Sequence, residues 1–249
     1  MKKALLLASL FSICHTLFSQ KKEAYYLLDK DFKGTTSLDK ATYFLYSLKE
    51  NDSSWLFEKY NVYGPLISAE HYKDEKATTL QGHAIYYNNK GKIDSSGEYK
   101  NDMQTGVWGI NNEKGEKIFE RNYQQGILID SKMIKKEKPT AADTTITIDL
   151  VETESEFPGK SQAWVNYLNK NLTYPERAQN IQKEGTVIVL FIVDKDGSIL
   201  DPYIGQSVEF SLDQEALRMI KESPKWTPAY QNGKIVKSWK LQPITFKLK

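Results

Sequence analysis

The chain has 249 residues, 40% of them apolar and 12% aromatic, with a formal charge of +2. That is enough apolar material for one or two packed domains and too little net charge to point to nucleic acid. A single cysteine, Cys14, leaves no disulfide framework and no zinc–thiolate cluster.

Residues 1–19, MKKALLLASLFSICHTLFS, carry Lys2 and Lys3, then an apolar run from Ala4 to Phe18, then a small residue before Gln20. This is a secretory signal pattern. The run, about fifteen residues, falls short of the roughly 20 that span a bilayer. Two readings stay open: a cleaved signal that delivers the chain to the periplasm or envelope, or a retained inner-membrane anchor. Cleavage removes both lysines and Cys14, which leaves 34 − 2 = 32 basic residues against 32 acidic ones.

Residues 23–134 are rich in Tyr, Gly, Asn and Lys and contain an internal repeat. In GHAIYYNNKGKIDSSGEYK and GVWGINNEKGEKIFERNYQ, Gly82, Asn88, Gly91 and Tyr99 recur as Gly106, Asn112, Gly115 and Tyr123, each 24 residues on. Each unit reads as strand, Asn/Gly turn, strand, because Asn and Gly tolerate the positive φ that tight hairpins need. A weaker copy runs through residues 63–74. The preceding stretch reads as a leading hairpin that turns at residues 51–53. Residues 135–153 are mostly polar, with one proline, and read as a linker of at most about 60 Å when extended.

Residues 154–249 change grammar. Trp164, Tyr167, Leu168 and Leu172 fall at helical spacing with Ser161 as the expected N-cap. Pro175 starts a second, short helix. Residues 185–193, GTVIVLFIV, form a strand that turns at residues 194–197 into a returning strand. Residues 211–223 form an amphipathic helix in which Ser211 and Gln214 fit a capping box and Leu212, Ala216, Met219 and Ile220 make the apolar stripe. Residues 233–249 read as a final strand. Its alternation slips at Gln242 and Pro243, which predicts a bulge there. Val187, Val189, Phe191 and Val193 line one face of the first of these strands, while Ile188, Leu190 and Ile192 line the other. An antiparallel strand apolar on both faces calls for cover on both.

Two family resemblances follow. The repeat unit resembles the MORN type over residues 60–130, which implies a meandering antiparallel sheet. YPERA at 174–178, EGTVIVLFIVDKDGSI at 184–199, SLDQEAL at 211–217, PKWTPAYQNGK at 224–234 and PITF at 243–246 together resemble the TonB C-terminal domain. That second resemblance covers residues 157–248. The expected fold class is therefore α+β: an N-terminal β-meander of MORN-like hairpins, then a TonB-like three-stranded antiparallel sheet with packed helices.

The TonB resemblance implies a periplasmic module that binds an extended segment of an outer-membrane transporter by strand addition, or dimerises through the same sheet. Carried over, the partner-binding surface falls on Trp239, Lys240, Leu241, Gln242, Ile244, Thr245, Phe246 and Lys247, joined by Leu172, Thr173 and Tyr174. Pro243 lacks the donor a central strand needs, so the last strand reads as an edge, open to β-augmentation. The same proline and the neighbouring lysines can instead blunt that edge.

The chain departs from an energy transducer in two ways. Its leader lacks the Ser-x-x-x-His pattern of the family's anchor, and its spacer is short. The expectation is an exported protein-binding adaptor in the envelope. A true transducer with a retained anchor, and a self-associating or peptidoglycan-binding envelope protein, are the alternatives. His71 and His83 are the histidines beyond the leader, and no nucleophile–base pair or phosphate loop accompanies them. No catalytic residue, cofactor or metal site is expected. Trp226 reads as a plug after the helix, Tyr174 as a packed ring, and Asp194 and Asp196 as turn chemistry.

Overall fold

The structure is a computed structural model that describes residues 22–134 and 153–248. The expected leader, 1–19, and nearly all of the expected linker lie outside the described residues. The chain divides into two units at residue 135. Among the described residues, no helix is long and apolar enough to cross a membrane.

The first unit is one antiparallel sheet. Its strands are β1 (Glu23–Leu28), β2 (Gly34–Thr35), β3 (Tyr43–Asn51), β4 (Ser54–Asn61), β5 (Leu66–Tyr72), β6 (Leu80–Tyr87), β7 (Ile93–Lys100), β8 (Met103–Asn111), β9 (Lys117–Gln124) and β10 (Ile127–Met133). The order is β10-β9-β8-β7-β6-β5-β4-β3-β1-β2, so from β3 to β10 each strand pairs with the next in sequence. The leading hairpin turns where expected, between Asn51 and Ser54.

The sequence repeat is also a repeat of register. Gly82 opposes Tyr99 and Gly106 opposes Tyr123. Both turns are built alike. The Asn88 side-chain oxygen accepts from the Lys90 and Lys92 amides, and that of Asn112 from the Lys114 and Glu116 amides. Gly91 and Gly115 close these turns at φ 72° and 81°. Asn61 and Gly64 share only the backbone bond of these turns, Gly64 N donating to Asn61 O at 3.1 Å between β4 and β5; there the Asn61 side chain donates to Pro65 O instead. The weaker copy, residues 63–74, holds the single strand β5.

The aromatic residues do the packing. Leu28, Leu45, Trp55 and Phe57 form a buried cluster with Tyr26, Tyr43 and Tyr72 against it. Further along, Trp108 lies flat where a Cβ on Gly97 would overlap its ring, and its indole N–H donates to Glu98 O at 3.2 Å. Tyr86, Tyr99 and Tyr123 surround it at ring distances of 6.3, 5.1 and 6.4 Å.

The second unit contains α1 (Lys160–Asn171), α2 (Glu176–Asn180), β11 (Gly185–Val193), β12 (Ile199–Gln206), α3 (Phe210–Lys221), β13 (Ala229–Gln231), β14 (Lys234–Val236) and β15 (Ser238–Phe246). Its main sheet has the order β12-β11-β15, with β13 and β14 in a separate hairpin. The expected strand over 233–249 is therefore two pieces. Residues 234–236 fold back on 229–231 at the Asn232–Gly233 turn, and only β15 joins the main sheet.

Val187, Val189, Phe191 and Val193 are fully buried. α3 packs against β11 and β12 and buries Leu212, Ala216, Met219 and Ile220, as the stripe predicted. Trp226 is the expected plug, 5.0 Å from the Phe191 ring and within 6 Å of Phe157 and Trp164. The turn at 194–197 is held by the Gly197 amide on Asp194 O and by the Asp196 carboxylate on Ser198.

Both helix caps differ from expectation. α1 starts after Gly159, at φ 84°, so the cap lies two residues before Ser161. A Cβ at Gly159 would stand 2.8 Å from that of Ala163, so the entry needs glycine. α3 is capped by Glu209, not Ser211: the Glu209 carboxylate accepts from Ser211 N at 2.9 Å. Asp213 returns the favour from inside the helix, accepting from Val208 N at 3.0 Å and Ser207 Oγ at 2.5 Å. Two carboxylates thus hold the helix start, in place of the expected Ser211–Gln214 box. Arg177 neutralises the buried Glu209 at 2.5 Å, which makes a charged cap tolerable there.

Candidate functional site

β15 pairs with β11 in one unbroken register from Ser238 opposite Val193 to Phe246 opposite Gly185. The expected bulge at Gln242 and Pro243 is absent. The alternation slips because the two halves of the strand carry their apolar side chains on opposite faces. Ile244 and Phe246 point to the helix side and are buried. Trp239 and Leu241 point to the other face and are 60% and 53% exposed. At the start of the strand the helix side is covered by polar groups from residues 154 and 155. Ser238 Oγ donates to Ser155 Oγ at 3.0 Å, and Lys240 Nζ meets Glu154 at 3.2 Å.

Among the described residues, β15 is hydrogen-bonded on one side alone and forms a free edge of the sheet. Proline cannot donate to a ladder, so Pro243 must turn its nitrogen away from β11. Alternate residues then share that direction. Trp239, Leu241 and Thr245 direct their backbone groups outward, and Pro243 contributes a carbonyl alone. Two side contacts agree with this phase. Leu248 N turns inward to Glu184 Oε1 at 2.5 Å, and Gln242 Nε2 donates to the outward Pro243 O at 3.3 Å. Pro243 therefore interrupts the free edge by one donor without ending it.

Beside this edge lies the other face of β11. Ile188, Leu190 and Ile192 are half-buried. They are flanked by Tyr203 on β12 and by Leu241 and Trp239 on β15, with the Tyr203 and Trp239 rings 6.1 Å apart. Apolar side chains thus stand next to unpaired backbone, the combination that strand addition uses: the ladder supplies affinity and alternate side-chain pockets supply selection.

The three upstream residues divide. Tyr174 reaches β15, its ring 5.8 Å from Phe246 and its hydroxyl donating to Lys183 O at 2.5 Å, so it packs as expected. Thr173 is tied to α3 through its amide and Glu215 Oε1 at 2.7 Å. Leu172 caps α1 through Leu168 O. They position Tyr174 and extend no ladder of their own. Tyr203 was missed at the sequence level. Its place facing Leu190 is set by shifts in the β11–β12 register that no residue spacing announces.

Among the described residues, no group of three or more His, Cys, Asp or Glu is placed to hold a metal ion.

Residues 170–248 match the family model for the Gram-negative bacterial TonB protein C-terminal. A solution structure of the Helicobacter pylori TonB C-terminal domain matches at 27% identity, covering 37% of this chain and 87% of that one, with a TM-score of 0.27. The curated proteins return no match. The three-stranded sheet, its packed helices and the family match agree: the second unit carries a TonB-type C-terminal domain.

Proposed function

We propose that the chain is an exported, non-enzymatic envelope adaptor whose β15 edge captures an extended segment of an outer-membrane transporter. The observation that carries this reading is the free edge of β15 next to exposed Trp239 and Leu241. The added segment would pair with Trp239, Leu241, Thr245 and Lys247 and lay apolar side chains against the Leu190–Tyr203 face. Tyr174 and the α3 contacts of Thr173 hold the end of the strand in place. The repeat sheet serves as scaffold.

Titrating the full chain with transporter plug-segment peptides tests this by amide shifts. The expected result is a saturable shift along residues 239–247, with smaller changes on β12. Shifts confined elsewhere, or none, overturn it. Sequencing the mature N-terminus from cells separates an exported adaptor from an anchored transducer: a start near Gln20 removes the anchor.

A further inference from the structure

The first unit has an open edge of its own. β10 is the last strand of its sheet and bonds to β9 alone among the described residues. All seven of its residues are exposed, Ile127 at 68%, Ile129 at 55% and Met133 at 60%. Leu128 is exposed as well. Soluble proteins shorten, charge or cover such edges, and apolar side chains open on both faces of one are a mark of pairing.

The direction of the free backbone groups can be fixed. Residues 130–133 oppose 122–119 in register, and Ile134 N donates to Ile118 O at 2.8 Å, one step further along. Alternate residues in an antiparallel ladder face the same neighbour. Asp130 and Lys132 therefore bond to β9 as Ile134 does, while Ser131 and Met133 face outward. A second contact agrees: Ser131 N is capped by its own neighbour, Asp130 Oδ1, at 2.8 Å. The register shift at Ile129 ends the regular run on the other side.

The sequence of this run is complementary to itself. Outward residues must oppose outward residues, so a two-fold pairing has to centre on a residue and not between two. Centring on Asp130 sets carboxylate against carboxylate, and centring on Lys132 sets ammonium against ammonium. Centring on Ser131 sets each Asp130 opposite a Lys132 within the regular run. Directly opposed like charges disfavour a register, and opposite charges favour it.

We propose that β10 is a self-pairing edge: two copies of the chain join their sheets by antiparallel β10–β10 pairing about a two-fold axis at Ser131. The contact is isologous and closes on itself, so it makes dimers and not fibres. In the dimer the Ser131 amide exchanges its Asp130 cap for the partner's backbone, and Asp130 is released to meet the partner's Lys132. One particle then presents two β15 edges, which favours bivalent capture. This inference is independent of whether β15 binds a transporter.

Sedimentation velocity of the full chain across a concentration range tests it. A monomer–dimer equilibrium is expected. Asp130→Lys, which opposes Lys to Lys132, should weaken the dimer by about tenfold or more in Kd. The exchange Asp130→Lys with Lys132→Asp should restore it. Ser131→Pro removes a donor that β9 does not use, so it should abolish the dimer while the far-ultraviolet dichroism is kept. A wild-type chain that stays monomeric into the high micromolar range overturns the proposal. So does a dimer indifferent to Asp130→Lys, a charge exchange that fails to restore pairing, or a dimer lost with Thr245→Pro in β15 instead.

Discussion

The two units solve the same problem in opposite ways. The repeat sheet takes most of its hydrogen bonds from neighbours in sequence, and three of its hairpins turn on an Asn-x-x-Gly backbone bond. The C-terminal sheet is held by a pairing of distant segments: β11 meets β15 only after α3 and the β13–β14 hairpin have intervened. Local ladders close small loops and nucleate cheaply, whereas the β11–β15 ladder needs the helix layer in place first. The difference implies that damage to the core of the second unit destroys it as a whole, while damage to one repeat stays near that repeat.

The largest test of that contrast is Phe191→Ala. The ring is fully buried and packs on Trp226. Its removal should cost about 3–5 kcal/mol. In urea melts followed by tryptophan fluorescence, one transition should move and the other should stay. A loss shared equally by both would break the comparison. Arg177→Ala comes next. It strands the fully buried Glu209 carboxylate, which also caps α3, at a cost of about 3 kcal/mol or more. Arg177→Ala with Glu209→Gln should recover much of this, because the uncompensated charge is gone.

In the repeat sheet the matching test is smaller. Gly97→Ala drives a methyl into the Trp108 ring and should cost about 1–3 kcal/mol by overpacking. Gly109→Ala is the control. There the new Cβ would meet only the flexible end of Lys117, at 3.3 Å, and little should change. Hydrogen exchange should localise the Gly97→Ala effect to β7, β8 and their neighbours. Exchange that quickens throughout the sheet would argue that it melts as one body.

The same contrast governs what could be read from the residues. The repeat register was legible because glycines and tyrosines 24 apart report a hairpin directly, and each ladder joins sequence neighbours. In the second unit, the residue pattern placed β11, β12 and the stripe on α3 correctly. Three features escaped, and all depend on distant groups. The slip at Gln242 and Pro243 reads as a bulge if one buried face is assumed. It disappears once Trp239 and Leu241 are seen to lie on the opposite face from Ile244. Glu209 makes a poor N-cap until Arg177 arrives from another helix to neutralise it. The short β13–β14 hairpin was hidden for the same reason: its partner bridges, Thr153 to Tyr230 and Glu156 to Thr227, come from some 70 residues upstream. The edge of β15 was legible from Pro243 alone, because a missing donor is a property of one residue.

The smallest effect expected concerns pH, and it separates the units by charge instead of packing. In the repeat sheet, burial alone would lower the pKa of His71, but the Glu50 carboxylate at 3.3 Å and the His83 carbonyl at 2.6 Å from Nδ1 outweigh it, and the net shift is upward. His83 shifts the other way, lowered first by burial and then by the charge on His71. A histidine raised on folding stabilises the fold fully below its unfolded value, about 6.5, and this contribution fades as pH rises through the folded value. The His83 term has the opposite sign: present above about 6.5, lost as pH falls through the depressed value. Glu50→Gln removes the partner from the first and leaves the second. The His71 midpoint, followed by its ring-proton shifts, should fall. The accompanying loss of stability should be about 0.2–1 kcal/mol, since Glu50 is partly exposed, and it should be confined to acid pH. Equal destabilisation at pH 5 and pH 8 would mean that Glu50 acts through strand packing and not through the imidazolium.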